Sequence, residues 1–248
     1  MQIVFATVPC NWLQCQENSI DPVHFEWMHD NWDARLKGRN EYAPRHVKLA
    51  FDEFDYGLTY RRVREDSDET SELWTVGRVC LWPNALFTGN HFEWRVPIDD
   101  TSTLSVGWFF SRVPREREPY VQGSIPCWYS PIVDDKTGRW ITSHIMNQDF
   151  VGWVGQGAIT DRRREHLGRS DRGIVMMRQR FFKDLDTVAG GGEPKAIVRD
   201  PEVNRCIELP IIGRRHFVEG TAPPRRGFPF LAGQPDAVRR AYDAAMGF

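Results

Sequence analysis

The chain has 248 residues, of which 41% are hydrophobic and 27% charged, and its formal net charge is −2. This length suits one large domain with a sizeable core, and the near-neutral charge argues against general binding to nucleic acid or to a membrane surface. The ten tryptophans and fifteen phenylalanines would usually fill a core, but they also suit a cavity for a flat apolar ligand.

The N-terminal segment "QIVFATVP" predicts a strand, and residues 11–20, "NWLQCQENSI", predict a helix. Asp21-Pro22 is typical of a helix restart, with Asp at the N-cap and Pro at the first helical position. His24 and His29 follow, five residues apart. Residues so spaced on a regular α-helix point roughly 140° apart, so the two imidazoles converge only if the backbone is locally distorted.

From residue 46 to 112 the hydrophobic pattern has a period of two, which predicts four to six strands of an antiparallel sheet. The strand segments include 55–63 and 73–82, and the acidic run 64–72 is interpreted as a solvated hairpin loop. Helices are predicted again from residue 147, over 170–189 with an apolar face from Ile174 to Val188, and over 235–246. Residues 213–235 are predicted to form an extended tail, and residues 1–248 a single α+β domain.

The five cysteines contain no C-x-x-C pair, and none has C-x-H or C-x-x-H spacing. A zinc knuckle or a Rieske-type cluster therefore cannot be built from them alone. Their odd number, with no secretion signal, predicts reduced thiols in a cytoplasmic protein, and no apolar run reaches membrane length.

Two histidines five residues apart usually have structural roles, but Asp21 precedes His24 by three residues and could support its ring as a carboxylate supports a metal-bound histidine. A catalytic iron(II) site of the facial type also needs a carboxylate ligand. Spacing alone does not choose among Asp149, Asp161 and Asp171, and it does not exclude His144 or His166.

Two motifs resemble a known family. Residues 8–30 contain the pattern N-W-x-x-x-x-E-N-x-x-D-x-x-H-x-x-x-x-H, and residues 147–174 contain an aspartate followed by Q-G, D-R, E-H-L-G and S-D-x-G-I. Both resemble the catalytic domain of Rieske non-haem iron aromatic-ring oxygenases. Within that family, the chain is most similar to the phthalate dioxygenase branch and to dehydrodivanillate O-demethylase-like oxygenases.

The resemblance implies that His24, His29 and Asp149 bind one Fe(II). It implies that Asp21 bridges toward an incoming cluster and aids electron transfer, and that Asn18 lies beside the iron. Asp161, Glu165, His166 and Asp171 keep a structural interpretation as ion pairs and caps, while His144 lines the pocket or lies in the core. The implied fold is the helix-grip (START-like) arrangement, an antiparallel sheet curved around a long C-terminal helix. Four aromatic residues are candidates to line its cavity, namely Trp27, Phe92, Trp94 and Trp153.

The family's 2Fe-2S cluster is expected on a separate or missing Rieske domain, because these 248 residues carry no ligands for it. The chain is then a fragment, a separately encoded catalytic half or a degenerate relative. The resemblance implies electrons from a Rieske domain or ferredoxin and a flavin reductase, and a homotrimeric assembly. The expected reaction is hydroxylation or oxidative O-demethylation, with O2, of an aromatic and possibly carboxylated compound.

Two other classes of function are considered. A ligand-binding or truncated module of the same fold would share the cavity without turnover. A metal-dependent hydrolase would use the same ligand types with a metal-bound water, but the chain lacks a recognisable general base and zincin spacing.

Overall fold

A computed structural model describes residues 1–89, 91–110, 118–213 and 236–246. It has a mixed α+β architecture with a large sheet and several helices, as predicted. The chain divides into two compact units, one of residues 1–15, 89–160 and 213–248 and the other of residues 16–88 and 161–212. The single domain over residues 1–248 stays a prediction.

The strands of the described residues are β1 Gln2–Val8, β2 His46–Phe54, β3 Gly57–Arg64, β4 Arg78–Leu81, β5 Ala85–Phe87, β6 His91–Asp99, β7 Ser102–Phe109 and β8 Cys127–Tyr129. The α-helices are α1 Trp12–Asn18, α2 Trp32–Leu36, α3 Glu72–Thr75, α4 Ile145–Gly155, α5 Arg172–Ala189, α6 Pro201–Asn204 and α7 Asp236–Met246. A π-helix spans Phe25–Asn31, and 3-10 turns span Arg162–Arg164 and Arg169–Asp171.

In the first unit, β7 pairs antiparallel with both β6 and β1, and β8 runs parallel to β1. Alternate residues of β1 are buried because side chains along a strand point to opposite faces. Val4, Ala6 and Val8 form a hydrophobic cluster with Phe150 and Trp153 of α4. This cluster fixes α4, which carries Asp149.

In the second unit, β2, β3, β4 and β5 pair antiparallel in chain order. Phe51 of β2 lies opposite Tyr60 of β3, and Tyr60 lies opposite Arg78 of β4. Residues directly opposite one another in antiparallel strands share a face of the sheet. Phe51 also lies against Gly173 of α5, so this face is the one that α5 covers.

The predicted antiparallel region is confirmed, since residues 46–109 supply β2 to β7. The strand predicted over 73–82 was too long, because its first part is the short helix α3. Ser71 caps α3 by accepting a hydrogen bond from the backbone N–H of Leu73 at 3.3 Å, and Gly77 turns the chain with a φ of +81°. An apolar run beginning after a good N-cap therefore starts as a helix and becomes a strand only after the glycine.

Helix α5 is confirmed, but its predicted apolar face is buried only in its first half. Met177 is fully buried, and Phe181 contacts Trp82 with ring centroids 4.0 Å apart. Leu185 and Val188 are exposed, which corrects the prediction that the whole face packs.

The predicted extended tail over 213–235 lies outside the described residues, apart from Gly213. The C-terminal helix is confirmed as α7. Among the described helices, none combines the length and the apolar character needed to cross a bilayer.

Candidate metal centre

His24 and His29 are brought together by the π-helix. In this helix type the backbone hydrogen bonds run from i to i+5, so residues five apart are neighbours along the axis. His24 lies at its N-cap position and His29 within it, and their ring centroids are 5.1 Å apart at an interplanar angle of 76°. The predicted backbone distortion is therefore confirmed, and it is the feature that makes the imidazoles converge.

Asp21 organises the entry to this segment. Its Oδ1 accepts a hydrogen bond from the backbone N–H of Val23 at 2.7 Å, as a residue starting a helix does. Its backbone carbonyl lies 2.6 Å from Nδ1 of His24. Because a carbonyl only accepts, Nδ1 must donate, and Nε2 carries the lone pair that a metal would use.

The sequence suggested that the carboxylate of Asp21 supports the His24 ring. In the structure, the backbone carbonyl of Asp21 supports it instead. The carboxylate lies 3.8 Å from Nδ1, beyond hydrogen-bonding distance. Burial raises the pKa of Asp21 to about 6, and the nearby Asp171 carboxylate contributes in the same direction. Asn18 ends α1, and its carbonyl accepts from the backbone N–H of Asp21 at 3.2 Å.

Asp149 lies on α4 and is buried. The helix begins at Ile145, two residues earlier than predicted, because Nδ1 of His144 caps it by accepting from the backbone N–H of Met146 at 3.1 Å. Asp149 is consequently in the second turn, where the helix dipole gives little stabilisation to a charge. A role as a first-turn charge, the ordinary structural explanation for this residue, does not apply.

His24, His29 and Asp149 each offer one ligand atom, and these atoms lie within 4.8 Å of one another. Two donors bound ~2.1 Å from a common ion are at most ~4.2 Å apart, so the 4.8 Å limit is close to the spacing that one shared ion requires. Two imidazoles and one carboxylate are the donor set of the facial non-haem iron(II) sites.

The other acidic residues of the second motif have structural roles. Asp161 accepts from the backbone N–H of Arg163 at 3.2 Å, and Asp171 accepts from that of Gly168 at 2.6 Å. Glu165 binds the guanidinium of Arg178, which holds the pKa of Glu165 below its usual range. The structural interpretation of these three residues is confirmed.

Sequence analysis missed the residues that surround the π-helix. Phe25 contacts both imidazoles, with ring centroids 4.3 Å from His24 and 5.2 Å from His29. Glu26 is buried, and its carboxylate accepts from the backbone N–H and from Nδ1 of His46, both at 3.0 Å. The guanidinium of Arg62 lies 3.3 Å from Nε2 of His46. The only trace of this cluster in the sequence is a glutamate, Glu26, between the two histidines.

A second buried charge cluster supports α4. Glu93 of β6 binds Nε2 of His91 at 2.6 Å and pairs with Arg95, whose guanidinium lies 4.6 Å from the ring centroid of Trp153. Burial opposes ionisation of Glu93, but Arg95 and His91 outweigh it and hold the pKa of this carboxyl well below its usual range. Trp153 follows Asp149 by four residues, one turn along the same face of α4.

The four candidate cavity aromatics have different environments. Trp27 is exposed and Trp153 is buried in the core. Phe92 and Trp94 are half-buried and stack with ring centroids 5.4 Å apart. Trp27 is therefore the weakest of the four candidates.

Comparison with known proteins shows which proteins this chain is related to. The chain is 56% identical, over 99% of its length, to the 5,5'-dehydrodivanillate O-demethylase oxygenase subunit of Sphingobium sp. (strain NBRC 103272 / SYK-6). The chain is homologous to oxygenase subunits. It also matches the phenoxybenzoate dioxygenase subunit alpha of Ectopseudomonas oleovorans at 29% identity and the phthalate 4,5-dioxygenase oxygenase subunit of Pseudomonas putida at 27%, each over 77% of the chain. The resemblance carried by the two motifs is confirmed.

The chain spans 60% of the length of the O-demethylase subunit and 46% and 52% of the two dioxygenase subunits. No protein-family model matches the sequence. The similarity to oxygenase subunits therefore rests on curated relatives that are longer than this chain.

Proposed function

We propose that this chain is the catalytic portion of a non-haem iron oxygenase that hydroxylates or oxidatively O-demethylates an aromatic compound. The observation that carries the proposal is the proximity of His24, His29 and Asp149, with one ligand atom from each within 4.8 Å of the others. The names of the relatives, an aromatic O-demethylase and two aromatic dioxygenases, favour turnover over a non-catalytic binding module.

In this proposal Nε2 of His24, a ring nitrogen of His29 and a carboxylate oxygen of Asp149 hold Fe(II). Bound iron would supply the oxygen-activating redox chemistry. The chain itself fixes the His24 tautomer through the Asp21 carbonyl, and it keeps Asp149 away from bulk water. We assign the Asp21 carboxylate to electron transfer from an incoming cluster and Asn18 to a position beside the iron.

The proposal includes the helix-grip arrangement and the partners expected of the family. Packing of Gly173 and Met177 of α5 within the unit that contains β2 to β5 supports a sheet gripping this helix. Electrons would come from a 2Fe-2S Rieske domain or ferredoxin and a flavin reductase, and the assembly would be a homotrimer.

The first test is iron binding by the purified chain under anaerobic conditions. We expect about one Fe(II) per chain, because one facial triad binds one ion. His24→Ala, His29→Ala and Asp149→Ala should each lose the metal, whereas the matched control His166→Ala, at an exposed position of the second motif, should retain it. Absence of binding at micromolar Fe(II) would refute the proposal.

The second test is turnover, using 5,5'-dehydrodivanillate with a ferredoxin and reductase, or with hydrogen peroxide in place of the electron supply. An oxygenase should release a demethylated or hydroxylated product only when iron is bound. Ligand binding that is unchanged without metal, with no product under any electron supply, would favour the binding module. Ester hydrolysis supported by zinc would favour a hydrolase.

A further inference from the structure

Two buried cysteines lie in contact at the junction of β1 and α1. Cys10 follows the last residue of β1 by two positions, and Cys15 lies within α1. Both side chains are fully buried, and their Sγ atoms are 3.5 Å apart. The other cysteines are Cys80, which is buried on β4, and Cys127 and Cys206, which are exposed.

The backbone of this junction holds the two sulfurs in place. The N–H of Cys10 donates to the carbonyl of Val8 at 2.8 Å, and the carbonyl of Cys10 accepts from the hydroxyl of Thr103 at 2.7 Å. The side chain of Asn11 begins α1 by accepting from the backbone N–H of Leu13 at 3.0 Å. An S–S bond is ~2.05 Å long, so the two sulfurs need to approach by only ~1.5 Å to bond.

The two thiols differ in acidity. The hydrogen bond with Cys15 lowers the pKa of Cys10 below its ordinary value, although burial acts in the opposite direction. Burial raises the pKa of Cys15, and the interaction with Cys10 acts in the same direction. The carbonyl of Asn11, 3.5 Å from Sγ of Cys15, also favours a proton on that sulfur, because a carbonyl only accepts. An attacking thiolate beside a protonated second thiol is the arrangement of redox-responsive cysteine pairs.

The turn that contains Cys10 gives a small oxidant a route to the pair. Pro9 is exposed and Asn11 is half-buried, so Cys10 lies directly beneath the surface. Local opening of a surface turn costs much less than global unfolding, and an opening of this turn alone admits a molecule as small as hydrogen peroxide.

The pair is also connected to the helix that carries Asp149. Cys10 and Cys15 belong to the hydrophobic cluster that contains Trp153 of α4. The side-chain amide of Gln14, in α1, donates to the backbone carbonyl of Trp153 at 2.8 Å. A close-packed interior transmits displacements, so a movement of ~1.5 Å at the sulfurs is felt at α4.

We propose that Cys10 and Cys15 form a peroxide-sensitive pair, which closes to a reversible disulfide and thereby weakens iron binding through α4. The effect on iron rests on the proposed function, whereas the disulfide does not. Peroxide is a suitable oxidant because it is the two-electron reduction product of the O2 that the proposed reaction consumes. Disulfides inside cells are typically transient and redox-sensing ones of this kind.

The reaction has two steps. The thiolate of Cys10 attacks one oxygen of hydrogen peroxide, the O–O bond breaks, and Cys10 becomes a sulfenic acid as the other oxygen leaves as water with the Cys10 proton. Cys15 then attacks the Cys10 sulfur, the S–O bond breaks, and the leaving hydroxide takes the Cys15 proton as a second water. Two thiols are thus oxidised to one disulfide while one peroxide is reduced to two waters.

The first test is disulfide formation in the full 248-residue chain, kept free of metal and treated with a small excess of hydrogen peroxide that catalase then removes. Trypsin releases both cysteines in one peptide, residues 1–35, because Arg35 is the first lysine or arginine of the chain. We expect this peptide to lose the mass of two hydrogen atoms and to regain it with dithiothreitol. An unchanged peptide overturns the inference, as does oxidation of Cys10 to sulfinic or sulfonic acid without a disulfide.

Anaerobic Fe(II) titration of the same samples tests the connection to α4. Oxidised chain should bind Fe(II) about tenfold more weakly than reduced chain, a loss similar to that of a group supporting a metal ligand. Dithiothreitol, removed before the titration, should restore the affinity, which it would not do after methionine oxidation. Cys10→Ser and Cys15→Ser should bind Fe(II) equally before and after peroxide. Equal affinities of reduced and oxidised wild type overturn the inference, as does the same weakening in the serine variants.

The matched control is Cys80→Ser, at a buried thiol whose Sγ accepts from the side-chain amide of Gln16 at 3.1 Å. It should respond to peroxide as the wild type does. The peptide mass of the wild type decides whether the disulfide forms, even where a serine variant fails to fold. Reduced wild type that binds no Fe(II) refutes the proposed metal centre, whereas reduced wild type that binds Fe(II) but forms no disulfide refutes only the role of the cysteines.

Discussion

Glu93 and Arg95 show how individual charged residues are accommodated in the interior. Both are almost completely buried on β6. Glu93 pairs with Arg95 and with His91, and the guanidinium of Arg95 also lies over the ring of Trp153. Removing one member of such a pair leaves an uncompensated charge inside the protein, which costs more than the pair contributes.

We expect Glu93→Gln to lower the free energy of unfolding by about 3 to 5 kcal/mol, because Arg95 loses its carboxylate. Urea unfolding monitored by tryptophan fluorescence measures the change. The matched control Glu65→Gln removes an exposed pair with Arg45 and should leave stability nearly unchanged, because solvent screens such pairs. If the two substitutions lowered the free energy of unfolding equally, burial of the Glu93–Arg95 pair would not explain its effect.

At the scale of secondary-structure elements, the π-helix is the feature on which the candidate site depends. Glu26 ties it to the start of β2 through two hydrogen bonds to His46, and Arg64 binds Asp30 at 2.6 Å near its end. A π-helix is less favourable than an α-helix and is held by tertiary contacts of this kind.

Glu26→Ala should therefore affect both stability and metal binding. It leaves the backbone N–H and Nδ1 of His46 without their acceptor, and we expect a loss of about 2 to 4 kcal/mol in the free energy of unfolding. Iron affinity should fall as well, because His24 and His29 flank this residue. Glu69→Ala, at an exposed pair with Lys48, is the control and should alter neither quantity. An unchanged iron affinity in Glu26→Ala would show that the π-helix does not need this tether.

Helix α5 packs through a position that has room only for glycine. A Cβ at Gly173 would lie 2.5 Å from two ring atoms of Phe51 and 2.9 Å from Ile20. Gly173→Ala should destabilise the protein by about 1 to 3 kcal/mol through this overpacking, despite the better helix propensity of alanine. Gly155→Ala, at the end of α4 with open space around it, should be neutral or slightly stabilising. Thermal unfolding of both variants provides the comparison, and a stable Gly173→Ala would mean that Phe51 moves easily.

At the scale of the whole molecule, acid should weaken the fold through His46. Burial lowers the pKa of this histidine; its hydrogen bond to Glu26 acts in the opposite direction, whereas Arg62 and Arg64 lower the pKa further. The folded protein then binds fewer protons than the unfolded chain just below pH ~6.5, so this contribution to stability is present above that pH and is lost as the pH falls. Unfolding free energies of metal-free protein between pH 8 and 5 should decline less steeply in His46→Gln than in the wild type. An identical pH dependence in the wild type and in His46→Gln would show that His46 does not cause the loss of stability.

The sequence by itself determined the periodic parts of the fold and the residue types of the candidate metal centre. Period-two alternation located β2, β3, β6 and β7, and a period of 3.6 located α5, because side-chain burial follows backbone geometry wherever a face is covered. The first motif placed two histidines and Asp21 together, and the resemblance selected Asp149 from three aspartates that spacing left equivalent. The oxygenase relationship was also readable, since motifs of this length rarely arise by chance.

Tertiary structure decided what no local pattern encodes. The form of the distortion is one example, because a π-helix forms only when contacts such as Glu26 to His46 hold it. The ring support of His24 by a carbonyl rather than a carboxylate is another, since it depends on the path of the backbone. Arg62 and Arg78 were two arginines among many in the sequence. Only strand register, which brings distant residues onto one face, makes them neighbours of each other and of Phe25.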